Sequence, residues 1–196
     1  MTEESSGAQL ERYLQKVKEK PDSASAHFNL ALQYTQRGRM SSAEKAYRQA
    51  LEIDPALVEA WINLGGVLLL KWDFEGSKKA NLEALKLKSD LLLAHYNMGQ
   101  AALYLGDAAG VESANRKVIG IDPEHAAGHY FLAVGLLALE RVEEARSALA
   151  MAMELGHRQT PEFLRGLEKA GKEPIANNAN EVTNVGAEAP KDSKEN

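Results

Sequence analysis

Residues 24–57 read ASAHFNLALQYTQRGRMSSAEKAYRQALEIDPAL, and residues 58–91 read VEAWINLGGVLLLKWDFEGSKKANLEALKLKSDL. Set beneath one another without a gap, they place His27 above Trp61, Leu30 above Leu64, Ala31 above Gly65, Ala43 above Ser77 and Ala50 above Ala84. Residues 92–125 and 126–159 continue the frame: His95 and His129 join the first column, Met98 and Leu132 the second, Gly99 and Ala133 the third. Val111 and Ala145 extend the fourth column, Val118 and Ala152 the fifth. A fixed period of 34 residues signals a repeat architecture, in which each unit buries its apolar face only by stacking on its neighbours.

Between Gly38, Pro55, Gly106, Pro123 and Gly156 the apolar residues recur at helical spacing, and no stretch alternates cleanly as a strand would. A small residue beside a large apolar one lets two helices approach closely, so each unit reads as a helix-turn-helix hairpin. Leu51-Glu52-Ile53-Asp54-Pro55 and Ile119-Gly120-Ile121-Asp122-Pro123 close two of the units, with proline where the helix cannot continue. The expected fold is all-α, with four units at 24–57, 58–91, 92–125 and 126–159. Two flanking helices are expected as caps. One covers 7–20, with Leu10, Tyr13, Leu14 and Val17 on one stripe; the other covers 160–171, opened by Thr160 and Pro161 with Phe163, Leu164 and Leu167 inward. Residues 172–196, rich in asparagine and charge and without an aromatic, are expected to be a disordered tail.

Composition narrows the function. The formal net charge is −5, which argues against an electrostatic grip on nucleic acid. With no cysteine there is no disulfide framework, thiolate metal site or cysteine nucleophile. The start of the chain lacks the basic and apolar runs of a secretory signal, and no apolar run approaches the roughly 20 residues of a membrane span, so a cytoplasmic protein without membrane contact is expected. Nothing assembles a nucleophile, a base and an orienting group, and Gly65-Gly66 lies inside a helical pattern without a following Lys-Ser or Lys-Thr. The reading is therefore not an enzyme, with no cofactor and no metal. A lower-ranked alternative is a metal-dependent enzyme using His125 and His129, four residues apart on one helix, although no third ligand is placed by the sequence. For His27, His95 and His129 packing is the favoured role, since Trp61 shares their column.

The columns resemble the tetratricopeptide repeat family. Leu30, Ala31, Tyr34, Ala43, Tyr47, Ala50 and Pro55 fit its pattern in the first unit; Trp61, Leu64, Gly65, Leu68, Ser77 and Ala84 fit in the second. Leu132, Ala133, Leu136, Ala145, Leu149 and Ala152 fit in the fourth. The third keeps Met98, Gly99, Gly106 and Pro123 but carries Ala102, Val111, Asn115 and Val118 where other types are preferred, which predicts looser packing of its second helix. The resemblance implies a right-handed α-solenoid whose first helices line a concave groove, and a non-catalytic scaffold or adaptor.

It also implies which positions face that groove: Phe28, Ile62, Tyr96 and Tyr130 in one column, Asn29, Asn63 and Asn97 in the next, then Gly66 and Gln100, with Leu69 and Tyr104 nearby. The groove is then mostly apolar and aromatic with a row of asparagines, and an exposed surface of that kind marks an interaction site. An asparagine amide carries a donor and an acceptor, which suits one peptide unit of an extended ligand. The expected partner is another protein or peptide segment, with self-association as the alternative. An acidic chaperone C-terminus is not expected, because the cations that members of the family set beside the asparagines are missing: Ser25, Glu59 and Leu93 stand there.

Overall fold

The computed structural model describes residues 6–158 and 160–171. Ten helices run through them: α1 (Ser6–Glu19), α2 (Ala24–Gln36), α3 (Met40–Ile53), α4 (Val58–Leu70), α5 (Phe74–Leu87), α6 (Leu92–Tyr104), α7 (Ala108–Ile121), α8 (Ala126–Ala138), α9 (Val142–Glu154) and α10 (Pro161–Ala170). No strand occurs among the described residues. Helices α2, α4, α6 and α8 start at residues 24, 58, 92 and 126, and α3, α5, α7 and α9 at 40, 74, 108 and 142. The repeat of 34 residues in the sequence is thus the spacing of both helices of every hairpin. Each second helix packs on its own first helix and on the first helix of the following hairpin, which makes an all-α helical-repeat solenoid. Leu10, Tyr13, Leu14 and Val17 of α1 pack against the core of the first hairpin. The expectation for 172–196 lies outside the described residues.

Small side chains set the helix spacing. Ala31, Ala43, Ala50, Ala84, Ala133, Ala145 and Ala152 are wholly buried, and so is a further column that the alignment did not single out, Ala60 and Ala94. The third unit is not loosely packed: Ala102, Val111, Asn115 and Val118 are at most 2% exposed. The reason is a matched exchange. In the column of Tyr47 and Leu149 the middle units carry Asn81 and Asn115, both fully buried, and opposite them stand Gly65 and Gly99. A Cβ on Gly99 would come within 2.8 Å of Asn115 Nδ2, and one on Gly65 would overlap Asn81 Nδ2 still more deeply. Each carboxamide fills the space its glycine leaves.

The two middle units differ in how that carboxamide is satisfied. Asn81 donates from Nδ2 to Ser77 O at 2.9 Å and accepts at Oδ1 from Asn97 Nδ2 at 3.2 Å. Asn115 donates to Val111 O at 2.8 Å, but its buried Oδ1 has no donor, because Phe131 occupies the place of Asn97 in the next unit. Gln100 Nε2, also buried, has no acceptor. A buried acceptor without a partner costs about 1–3 kcal/mol. Asn115→Leu, which installs the residue of Leu149, is therefore expected to raise stability by up to about that amount, read as a higher urea midpoint, whereas Asn81→Leu removes a carboxamide whose Oδ1 already has its donor in Asn97 and gains nothing. A lower midpoint for Asn115→Leu would show that this carboxamide is bonded.

The charged outer side is mixed, with lysines of the second unit paired to acidic neighbours. Lys71 meets Glu44, Lys78 meets Asp107 at 3.5 Å, Lys86 meets Glu83 and Lys88 meets Asp90. Glu112 sits between Arg116 and Arg141, whose hydrogen bonds hold its carboxyl below the usual range. Such exposed pairs contribute little individually; in the second unit they match Lys71, Lys78, Lys86 and Lys88 with acidic neighbours.

Candidate functional site

The first helices lie on the inner side of the curve. Helix α4 touches α6, α6 touches α8, and Asn97 Nδ2 reaches Ile62 O across the first of these contacts at 3.5 Å, while the second helices make no comparable approach to one another. Along this inner wall Leu70, Leu93 and Tyr104 are 62%, 60% and 45% exposed. Phe28, Ile62, Asn63, Gly66, Leu69, Tyr96, Asn97 and Gln100 are half-buried, and Asn29 is exposed. The wall is continuous through the first three units and closes at the fourth.

Closure comes from α10 and the loop before it. Tyr130 is only 9% exposed, its ring centroid 5.3 Å from that of Phe163 and 4.3 Å from that of His157. Burial raises the Tyr130 hydroxyl pKa and lowers that of His157. Val134 and Leu137 are buried in the same cluster. The ring of Tyr130 therefore supports the C-terminal end and lines little of the open wall. Phe28, at the other end, leans on the buried Tyr47 at 5.9 Å, and Tyr96 rests against Phe131 at 6.1 Å and His125 at 5.3 Å. Burial also raises the Tyr96 pKa.

The asparagines use their amide nitrogens within the scaffold. Asn29 Nδ2 donates to Ser25 O and Asn63 Nδ2 to Glu59 O, each at 2.7 Å and one turn back on the same helix. Asn97 Nδ2 goes to Asn81 Oδ1. With one N–H of each amide bonded to the backbone, the carbonyl oxygens of Asn29 and Asn63, each with a second N–H beside it, remain for a ligand on the wall. Gly66 differs from Gly65 beside it: a Cβ there would meet nothing closer than Asn97 Nδ2 at 3.9 Å, so helix packing does not require glycine at this position.

The histidine column has a positive structural role that its sequence did not disclose. Trp61 Nε1 donates to Pro55 O at 2.9 Å, six residues back in the loop between units. His27 Nε2 meets Pro21 O, His95 Nε2 meets Ser89 O and His129 Nε2 meets Pro123 O at 2.8 to 2.9 Å. A carbonyl only accepts, so each imidazole carries its proton on Nε2 and does what the indole N–H does, tying the incoming loop to the next first helix. His125 accepts at Nδ1 from Gly128 N at 2.9 Å as the cap of α8. One ring nitrogen of each of His125 and His129 is thus engaged in cap or loop, and no group of three metal-ligating side chains stands together among the described residues.

One aromatic cluster was not legible in the columns. The turn inside each hairpin ends on a residue with positive φ: Gly38, Trp72, Gly106 and Glu140, at 71°, 63°, 72° and 62°. Glycine suits that conformation, and a side chain there costs roughly 1–2 kcal/mol. Trp72 offsets the cost by packing edge-on against Phe74 and Tyr104 at 5.8 and 5.5 Å, while Phe74 and Tyr104 stack at 4.5 Å. Each aromatic pair is worth about 0.5–1.5 kcal/mol beyond its buried area. The three rings thus hold the tryptophan without outside help, and they bind Tyr104, at the rim of the inner wall, to the second hairpin.

Residues 24–57 match the model of the tetratricopeptide repeat family. No protein of curated function matches the sequence. Among solved structures, the crystal structure of MamA superposes with a TM-score of 0.74 at 19% identity, covering 76% of this chain and 88% of that one. MamA from Desulfovibrio magneticus RS-1 gives 0.72 at 17% identity, over 77% and 85% of the two chains. PilF of Pseudomonas aeruginosa gives 0.69 at 22% identity, over 83% and 77%. These likenesses establish the fold. No helix among the described residues is long and apolar enough to cross a membrane.

Proposed function

Since the chain is a tetratricopeptide repeat protein, a scaffold for protein interactions, we propose that an extended segment of a partner protein lies along its inner wall. The observation that carries this reading is the row of exposed and half-buried apolar side chains on α2, α4 and α6, interleaved with the Asn29 and Asn63 carboxamides. Leu70, Leu93 and Tyr104 stay exposed along this wall beside the half-buried Ile62, Leu69 and Tyr96, and an apolar patch of that kind marks an interaction surface. Neighbouring helices stand about 8–10 Å apart and an extended chain rises about 3.3 Å per residue, so successive first helices meet roughly every third ligand residue. Phe28, Ile62, Leu69, Tyr96 and Tyr104 supply the apolar contacts, and Asn29, Asn63, Asn97 and Gln100 the polar ones. The protein acts as an adaptor without catalytic chemistry.

Gly66 provides the test. Glycine inside a helix costs roughly 0.8–1 kcal/mol relative to good helix formers, and a Cβ there would meet nothing in the scaffold closer than Asn97 Nδ2 at 3.9 Å. Gly66→Leu is expected to keep or raise the melting temperature while reducing affinity about tenfold or more for a partner segment recovered from the native host, because the new side chain occupies the ligand's path. Unchanged affinity in Gly66→Leu, with loss in an outer-face variant such as Lys79→Glu, would place the ligand on the convex side.

A further inference from the structure

Resting on that reading of the inner wall, we propose that the wall selects an apolar segment carrying a lysine or arginine, whose cation is received by Glu59 beside the Asn63 carbonyl oxygen. At the wall positions of the four first helices the single charged residue is Glu59; the others are apolar, aromatic or uncharged polar. Glu59 is exposed, in the first turn of α4, and takes part in no ion pair among the described residues, so its carboxylate is open to a ligand cation. Asn63 stands one turn further on, with Nδ2 donating to Glu59 O. Its Oδ1 and the Glu59 carboxylate are therefore neighbouring acceptors on one helix face. Asn29 repeats the arrangement on α2, with one N–H of its amide donating to Ser25 O and Oδ1 left as an acceptor.

The wall thus offers oxygen acceptors and one negative charge, with no lysine or arginine to balance them. Donor-rich ligands fit: backbone N–H groups opposite the asparagine carbonyls and a cationic side chain opposite Glu59. A ligand carboxylate opposite Glu59 meets like charge. Ile62, Leu93 and Tyr96 on the same wall are apolar surface for the residues that flank the ligand's cation.

The probes are three synthetic peptides of about twelve residues, enough to run past the first helices, identical and mostly apolar except for a central lysine, glutamine or glutamate. Fluorescence anisotropy with wild-type protein is expected to rank them lysine, glutamine, glutamate, each step about threefold to tenfold. Higher salt should compress the ranking. Glu59→Gln is expected to abolish the advantage of lysine over glutamine, and Glu59→Lys to reverse the order, with circular dichroism confirming that both variants fold. A ranking that survives Glu59→Lys, or equal binding of all three by wild type, overturns this inference alone, provided Gly66→Leu still blocks binding. Binding that Gly66→Leu leaves intact, or no binding of any probe, overturns the inner-wall reading with it.

Discussion

Phe163→Ala is expected to destabilise the C-terminal end by about 3–5 kcal/mol, the range for removing a large aromatic from a packed core. Phe163 is 4% exposed and Leu167 5%, both on the inward face of α10, and Thr160 Oγ1 caps the helix by accepting from Phe163 N at 3.3 Å. Deleting the ring also removes the partner of Tyr130 and opens the cluster that holds Val134, Leu137 and Leu149. Coupling in a stacked array runs between neighbours, so the loss should appear first as faster hydrogen exchange in α8, α9 and α10 and fade toward α2. For a chain of this size each kcal/mol corresponds to roughly 2–4 °C in melting temperature. A variant melting within a degree or so of wild type, with exchange in α9 unchanged, would show that α10 does not hold the end together.

The architecture was legible because the repeat is written without insertions: each helix of the hairpin starts at the same place in every unit, so a gapless alignment recovers the register. Boundaries followed from proline and glycine, which act locally. What escaped the alignment is contact between units. Asn81 and Asn97 bond although they lie 16 residues apart and in different columns, so no single column displays the pair. The orphaned Oδ1 of Asn115 becomes visible only once Phe131 is known to stand where a donor would have to be. Tyr130 reads as a groove residue by column, yet α10 covers it, because a terminal unit packs against a helix outside the repeat. The histidine column carried a usable signal: Trp61 and the imidazoles share a ring N–H at one height. Its target is a carbonyl six residues back, a distance set by loop geometry that periodicity does not report.

Leu64→Ala is expected to cost about 2–5 kcal/mol, whereas Asn63→Ala on the same helix should leave stability nearly unchanged and weaken ligand binding. Leu64 is 1% exposed and belongs to the core formed with Tyr47, Val67 and Leu68, and truncation leaves a cavity there. The cavity can relax little, because Gly65 beside it is already filled by Asn81. Asn63 sits half-exposed on the wall, and its one hydrogen bond within the described residues returns to Glu59 O. Replacing it removes a bond of roughly 0.5–1.5 kcal/mol from a bound ligand, about threefold to tenfold in affinity. Measured side by side, urea unfolding should separate the two variants by several kcal/mol, and anisotropy with the lysine-containing peptide should separate them in the opposite order once both are held below their unfolding midpoints. If Asn63→Ala binds as wild type does, its carbonyl contributes nothing to recognition. The wall would then hold its ligand through Ile62, Leu69 and Tyr96 alone, and Glu59 would have to confer any charge preference without the neighbouring oxygen.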